Sequence, residues 1–171
     1  MLKENTDYKV IDNFFPKDYF NDMEELFMKV DGSKIPWYYI PQINAEHTDV
    51  KTDKLFYFEH LLYYRQPNSE LWDFFQPLWE MLDMKSLIRL KANCYPQNEN
   101  LIVHPAHADF PYEHKGAIIY INSCDGFTIL EDGTKIDSVA NRVLFFDPSK
   151  LHSSTNCTDQ KARFNINCNY Y

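Results

Sequence analysis

The sequence predicts a mainly β domain with flanking helices: a double-stranded β-helix, in other words a jelly-roll, cupin-like barrel of two antiparallel sheets, buttressed by N-terminal α-helices. Three observations predict it. Helical spacing of apolar residues is confined to the first part of the chain, residues 1–86. Two later stretches, Leu87 to Tyr95 and Arg163 to Tyr171, alternate apolar and polar residues with a period of two, which gives a strand two unlike faces. Between them, short apolar runs are punctuated by turn signals such as Asp132-Gly133, a hairpin pair.

In chain order, Tyr8 to Asp12 is a short strand candidate. Pro16 suits the first turn of a helix, where its missing N–H costs nothing, and Tyr19, Phe20, Met23, Leu26, Phe27 and Val30 follow at helical spacing up to Asp31-Gly32. A second helix is expected from Ser69, a candidate N-cap, with Leu71, Phe75, Leu78 and Leu82 as its stripe and Pro77 kinking or splitting it. These aromatic stripes read as core. From Leu87 the period becomes two: Ile88, Leu90, Ala92 and Cys94 share one face, and Arg89, Lys91, Asn93 and Tyr95 the other. Gly116 to Asn122, Phe127 to Glu131, Val143 to Phe146 and Ala162 to Tyr170 supply the later strands. The last of them sets Phe164, Ile166, Cys168 and Tyr170 against Arg163, Asn165, Asn167 and Asn169. Polar faces of this kind either meet water or line a polar interior. The second reading puts Asn93, Asn165, Lys91 and Asn167 on an inner wall, with Arg89 and Asn169 at the rim.

A length of 171 residues suits one core, and no linker or composition shift divides the chain. The expected organisation is a single domain over 1–171, with 1–86 as helical support and outer strands and 87–171 as the barrel core. Apolar residues make up 44% and aromatics 16%, which excludes a disordered acidic chain despite a net charge of -8. The same acidic balance argues against a nucleic acid partner held through its phosphates. No apolar run approaches the ~18 residues of a membrane span, and the polar start Met1-Leu2-Lys3-Glu4-Asn5 is no secretory signal, so a cytoplasmic location without membrane attachment is expected. Cys94, Cys124, Cys157 and Cys168 form no Cys-x-x-Cys and read as reduced thiols, with no disulfide framework and no zinc site. Oligomeric state is left open.

The residues with chemical content are His107, Asp109 and His152. In an extended strand, i and i+2 point the same way, so His107 and Asp109 are expected to converge. His152 follows the apolar run Val143 to Phe146 and is expected to reach the same point from across the barrel. Two imidazoles and a carboxylate on one face of an octahedron hold iron and leave the remaining positions open. A second match, His47-x-Asp49, lies among Glu46, Lys51, Asp53 and Lys54 and reads as a solvated loop. Arg163, eleven positions after His152, supplies a planar fork suited to a carboxylate. His104 has Pro105 between it and His107 and is not expected on the ligand face, while His60 and His114 read as loop or strand-edge residues.

From about Leu87 onward these residues resemble the prolyl 4-hydroxylase-like branch of the 2-oxoglutarate/Fe(II)-dependent dioxygenase superfamily. Cys94-Tyr95-Pro96 resembles a strand end that precedes the first ligand in the oxygen-sensing members. Ile118-Ile119-Tyr120-Ile121-Asn122 resembles the strand that follows the aspartate. The resemblance implies that His107, Asp109 and His152 ligate Fe(II), that Arg163 grips the distal carboxylate of 2-oxoglutarate, and that Tyr95 and Tyr120 face it, with Asn93 and Asn165 on the same wall. Two departures stand out. Asp125-Gly126 keeps one glycine where many relatives have two, and Asn169 stands where the oxygen-sensing enzymes carry tryptophan.

By that likeness the cofactors are Fe(II), 2-oxoglutarate and dioxygen as co-substrates, and ascorbate as an accessory reductant. The reaction is hydroxylation of a prolyl residue of a protein or peptide, with succinate and carbon dioxide as co-products. Two alternatives are an oxygenase acting on a free amino acid or small-molecule metabolite, and a non-catalytic metal-binding cupin-like barrel. Residues 32–53 and 96–105 are the expected lids.

Overall fold

The structure is a computed structural model and describes residues 8–29, 32–41, 43 and 55–171. Its first strand, β1 (Tyr8–Ile11), leads into helix α1 (Lys17–Met28), and β2 (Tyr38–Ile40), β3 (Tyr57–Tyr64) and β4 (Gln66–Pro67) follow. Two single-turn helices, α2 (Trp72–Phe75) and α3 (Leu78–Met81), precede the strands β5 (Leu87–Pro96), β6 (Lys115–Tyr120), β7 (Phe127–Ile129), β8 (Lys135–Asp137), β9 (Arg142–Phe146) and β10 (Ala162–Tyr170).

α1 begins after Pro16, whose carbonyl accepts from Phe20 N at 3.0 Å, and its buried stripe is Phe20, Met23 and Phe27. Burying three such side chains is worth about 4.5–9 kcal/mol before conformational entropy is counted. The helix stops at Met28, short of the expected Asp31-Gly32, because the backbone at Lys29 is already extended at ψ 139. Val30 and Asp31 lie outside the described residues. Pro77 splits the second helix as expected, giving α2 and α3, and Ser69 accepts from Leu71 N through its hydroxyl at 3.0 Å.

The main sheet is antiparallel, in the order β1-β9-β6-β10-β5-β3-β2, with β4 paired to β3. The chain before Leu87 therefore supplies strands at both edges. β3 carries no sequence signal, since Tyr57, Phe58, Leu61, Leu62, Tyr63 and Tyr64 are apolar on both faces and hide the alternation. The β7–β8 hairpin turns at Gly133, whose φ of 85 favours glycine, and Asp132 Oδ1 accepts from Thr134 N. Isolated bridges Ile129↔Ser153, His107↔His152 and Val103↔Thr155 extend this hairpin into a second layer.

Alternation sorts the two faces of the main sheet. Leu90, Ala92, Ile119, Val143, Ile166 and Cys168 pack with α1, Phe75, Leu78 and Leu82 in one core. Ile118, Tyr120, Leu144 and Phe146 face the other way and pack with Ile136 of β8. The polar faces of β5 and β10 open between the two layers. Among the described residues, no helix is long and apolar enough to cross a membrane.

Candidate metal centre and co-substrate cavity

His107 and His152 occupy facing positions of an antiparallel bridge, joined by N–H···O bonds of 3.0 and 2.9 Å, with ring centroids 4.5 Å apart. Asp109 is brought in by its backbone N–H, which donates to Pro148 O at 2.8 Å. The ligand atoms of His107, Asp109 and His152 all lie within 4.8 Å of one another, and Asp109 Oδ1 is 3.8 Å from His107 Nε2. The expected route to this convergence needs correction. Residues 107–109 form no strand beyond the single bridge residue His107, and His152 lies six positions past the end of β9. The cross-chain bridge and the Pro148 contact do what strand periodicity was expected to do.

Three donors from the polar face of the main sheet hold the Asp109 carboxylate. Arg89 Nη2 donates to Oδ1 at 2.7 Å, while Asn167 Nδ2 and Asn169 Nδ2 donate to Oδ2 at 3.0 and 2.8 Å. Burial opposes ionisation of this group, but the Arg89 charge, His152 and the asparagine amides outweigh it and hold Asp109 below the usual carboxylate range. Arg89 and Asn169 are therefore not rim residues. Asn169 is fully buried, and its amide also meets His114 Nε2 at 3.2 Å. The alternation that put Lys91, Asn93, Asn165 and Asn167 on the inner wall reaches these two residues one step further along each strand.

The donor set fits a metal ion. Burial, with His152 beside it, pushes His107 down to about 4, so its imidazole is neutral at pH 7. His152 Nδ1 lies 3.1 Å from Lys150 O, and a proton on Nδ1 leaves the Nε2 lone pair available. A neutral His107 imidazole and an ionised Asp109 carboxylate are the protonation states that ligation requires of them. This is the mixed nitrogen and oxygen set that suits Fe(II) with open positions.

The triad opens on a cavity of about 990 Å³ lined also by Arg89, Lys91, Asn93, Tyr95, Thr128, Ser154, Asn165 and Asn167. Asn93 Nδ2 donates to Asn165 Oδ1 at 2.9 Å, and Asn93 Oδ1 and Asn167 Oδ1 are buried acceptors without a protein partner. Arg163 is fully buried behind this wall. Its Nε donates to Ser138 Oγ at 2.6 Å, Nη1 to Ser154 Oγ at 2.5 Å and Thr155 O at 3.1 Å, and Nη2 to Thr128 Oγ1 at 3.2 Å. The Tyr95 and Tyr120 rings flank it, their centroids 5.8 and 5.6 Å from Cζ. Among the described residues no carboxylate pairs with it. A buried cation held only by neutral groups is short of a counter-charge, and Thr128 and Ser154 carry its hydrogen bonds to the cavity wall. Tyr120 is also fully buried, and its hydroxyl reaches the wall through Thr128 Oγ1 at 2.8 Å.

Two cavity neighbours from β3 had no sequence signal. Tyr57 stacks on Tyr95 with centroids 5.4 Å apart, and Glu59 pairs with Lys91 at 2.9 Å. The other described histidines, His60, His104 and His114, are buried. His104 packs on Tyr95 at 5.1 Å, apart from the metal trio. His60 is no strand-edge residue; it sits within β3 between Pro36 O at 2.9 Å and Ser69 Oγ at 2.6 Å. His114 is likewise enclosed, its Nδ1 2.7 Å from Tyr112 O. His47 and Asp49, with half of the first expected lid, lie outside the described residues.

No family model matches the sequence, and no curated protein matches it. Solved structures do match the fold. A prolyl-4-hydroxylase from Pseudomonas putida superposes with a TM-score of 0.64 at 12% identity, covering 95% of this chain and 91% of that one. A Trichoplax adhaerens prolyl hydroxylase in complex with a hypoxia inducible factor peptide fragment gives 0.61 at 14%, covering 96% and 83%. HygX from Streptomyces hygroscopicus, with nickel and 2-oxoglutarate bound, gives 0.64 at 9%, covering 96% and 82%. The chain thus has the fold of the prolyl hydroxylases and other 2-oxoglutarate/Fe(II) oxygenases that its motifs resemble.

Proposed function

We propose that this chain is a 2-oxoglutarate- and Fe(II)-dependent dioxygenase that hydroxylates a prolyl residue of a protein or peptide, with succinate and carbon dioxide as co-products. One observation carries the reading. The His107, Asp109 and His152 donors converge within 4.8 Å at a cavity whose wall hides a cation, Arg163, with no acidic partner among the described residues. The double-stranded β-helix is the architecture that holds both features between its layers. Prolyl hydroxylases among the fold neighbours, one of them with a peptide bound, support the substrate class. Four free cysteines support a reducing, cytoplasmic setting.

Fe(II), when bound by His107, Asp109 and His152, supplies redox chemistry with dioxygen that no side chain can perform. The chain's own residues place and polarise. Arg89, Asn167 and Asn169 hold the Asp109 carboxylate ionised and oriented. Ser154 and Thr128 present the Arg163 charge to the distal carboxylate of 2-oxoglutarate, and Tyr95 closes that side. Asn93 and Asn167 offer free carbonyl oxygens to polar groups within the cavity.

The test is 2-oxoglutarate decarboxylation followed with and without Fe(II), ascorbate present, against proline-containing peptides, free amino acids and no substrate. Iron-dependent turnover stimulated by the peptides is expected. Stimulation by free amino acids alone would replace the substrate class, and iron binding without any turnover would leave a metal-binding barrel.

A further inference from the structure

Away from the cavity, a second cluster of metal-ligating side chains sits behind Arg163. Cys124 and Cys157, 33 positions apart and in no recognisable motif, are brought together with Asp159 so that the two sulfurs and a carboxylate oxygen all lie within 4.8 Å of one another. We propose that Cys124, Cys157 and Asp159 form a zinc site, distinct from the candidate iron centre and independent of the function proposed above.

The first support is geometry. Tetrahedral zinc, with Zn–S of ~2.3 Å and Zn–O of ~2.1 Å, spaces its ligand atoms about 3.5–3.8 Å apart. Donors already within 4.8 Å need side-chain movements of about 1 Å to close around the ion. The second is preorganisation of the two loops. Asp125 N donates to Asp159 Oδ1 at 3.0 Å, Thr158 N donates to Asp125 Oδ1 at 2.8 Å, and Thr158 Oγ1 donates to Asp125 Oδ2. Each loop thus caps the other, and the backbone positions that carry the donors are held before any ion arrives.

The third support is charge and access. Asp125 and Asp159 are exposed, and among the described residues no lysine or arginine forms an ion pair with either. Two thiols beside two carboxylates that lack a cationic partner form a receptor for a soft divalent cation, and binding releases the thiol protons. Cys124 is half-buried and Asp159 exposed, so the ion has a way in, while fully buried Cys157 forms the floor. Zinc is the divalent ion that combines thiolate with carboxylate at four-coordination, its fourth place going to water or Asp125.

The site abuts Arg163. A Cβ added at Gly126, two residues after Cys124, would run into the Asn156 carbonyl and Arg163 Cδ, so the loop passes in direct contact with the arginine side chain. An ion there ties together the loops packed against it.

Cobalt(II) is the probe, because thiolate-to-cobalt charge-transfer absorption reports cysteine ligation and a His/Asp site does not produce it. With a non-thiol reductant present, cobalt titrated into the 171-residue chain is expected to develop that absorption and saturate it within two equivalents, one for each candidate site, and zinc should displace it. His152→Ala should retain the band. Cys124→Ser, at a half-buried position that keeps the fold by circular dichroism, should weaken binding by more than about 100-fold, and Asp159→Asn by about 10–100-fold. Absence of the band in wild-type protein with four titratable thiols would overturn the site. So would a band that persists in Cys124→Ser, and unchanged affinity in Asp159→Asn would overturn the three-donor assignment.

Discussion

Arg89 Nη2 lies 2.7 Å from Asp109 Oδ1, so the candidate metal carboxylate is held by a guanidinium from the main sheet before any ion arrives. The side chains are 20% and 4% exposed, so the carboxylate is buried and the arginine half-buried. The arginine contributes orientation and ionisation at once, and it sits 20 residues upstream of its partner. The pair ties the sheet to an irregular segment that has little regular structure of its own.

Arg89→Ala is therefore expected to weaken metal binding by about 10–100-fold without removing a ligand, the usual effect of losing an outer-shell partner. Asn169→Ala should act in the same direction and more weakly, because Asn167 still serves Oδ2. Competitive Mn(II) titration measures both, and wild-type affinity in Arg89→Ala would reduce the ion pair to a packing contact.

His107→Ala, Asp109→Ala and His152→Ala should each abolish iron-dependent 2-oxoglutarate turnover while the fold persists, since each removes one of three donors. His47→Ala should behave as wild type. Metal stoichiometry and circular dichroism on the same samples separate ligand loss from unfolding, and full activity in His152→Ala would dismantle the triad.

Arg163→Ala is expected to weaken 2-oxoglutarate binding at least tenfold, as charge-assisted hydrogen bonds are worth roughly 1.5–3 kcal/mol each. It should also lower Tm, because the side chain donates to Ser138, Ser154, Thr155 and Thr128. Arg163→Lys keeps the charge without the fork and should recover part of the affinity. Anaerobic titration of the Mn(II)-loaded protein decides it: equal affinity in wild type and Arg163→Ala ends the co-substrate role.

Gly126→Ala should destabilise the protein by about 1–3 kcal/mol, the range for overpacking a filled site. The added methyl meets the Asn156 backbone and Arg163 Cδ, and neither can move away freely. Chemical denaturation measures the loss. Gly133→Ala, where nothing lies within 4 Å but φ is 85, tests backbone strain alone.

Acid should destabilise the fold through His104. Burial, the Arg163 charge and nearby His107 push it down to about 3, below its unfolded value of ~6.5. The unfolded chain therefore binds the proton first, so the stability is fully present above pH ~6.5 and is lost as pH falls toward 3. Denaturation of wild type and His104→Gln at pH 7.5 and 4.5 should show a smaller loss in the variant, and parallel losses would exclude His104 as the group responsible.

The sequence by itself determined the periodic parts. Alternation in β5 and β10 put Lys91, Asn93 and Tyr95 on one face and Arg163, Asn165 and Asn167 on one face, because period two assigns faces without knowledge of neighbours, but it left open whether those faces meet water or line an interior. Helical spacing likewise marked Phe20, Met23 and Phe27 as core, and Pro77 as a break. The candidate ligand trio was legible as residue types in order. Tertiary structure alone decided how the trio converges, because residues 107–109 are not a strand and depend on His152 and Pro148 across the chain. It also decided the partners of Asp109, the burial of Arg163 among hydroxyls, the placement of β3 beside Tyr95, and the meeting of Cys124 with Cys157. Each is a contact between segments far apart in sequence, set by which strands pair and how the two layers face each other. Local pattern carries no record of that pairing, so side chains that belong to one site were distant and unremarked until the sheet brought them together.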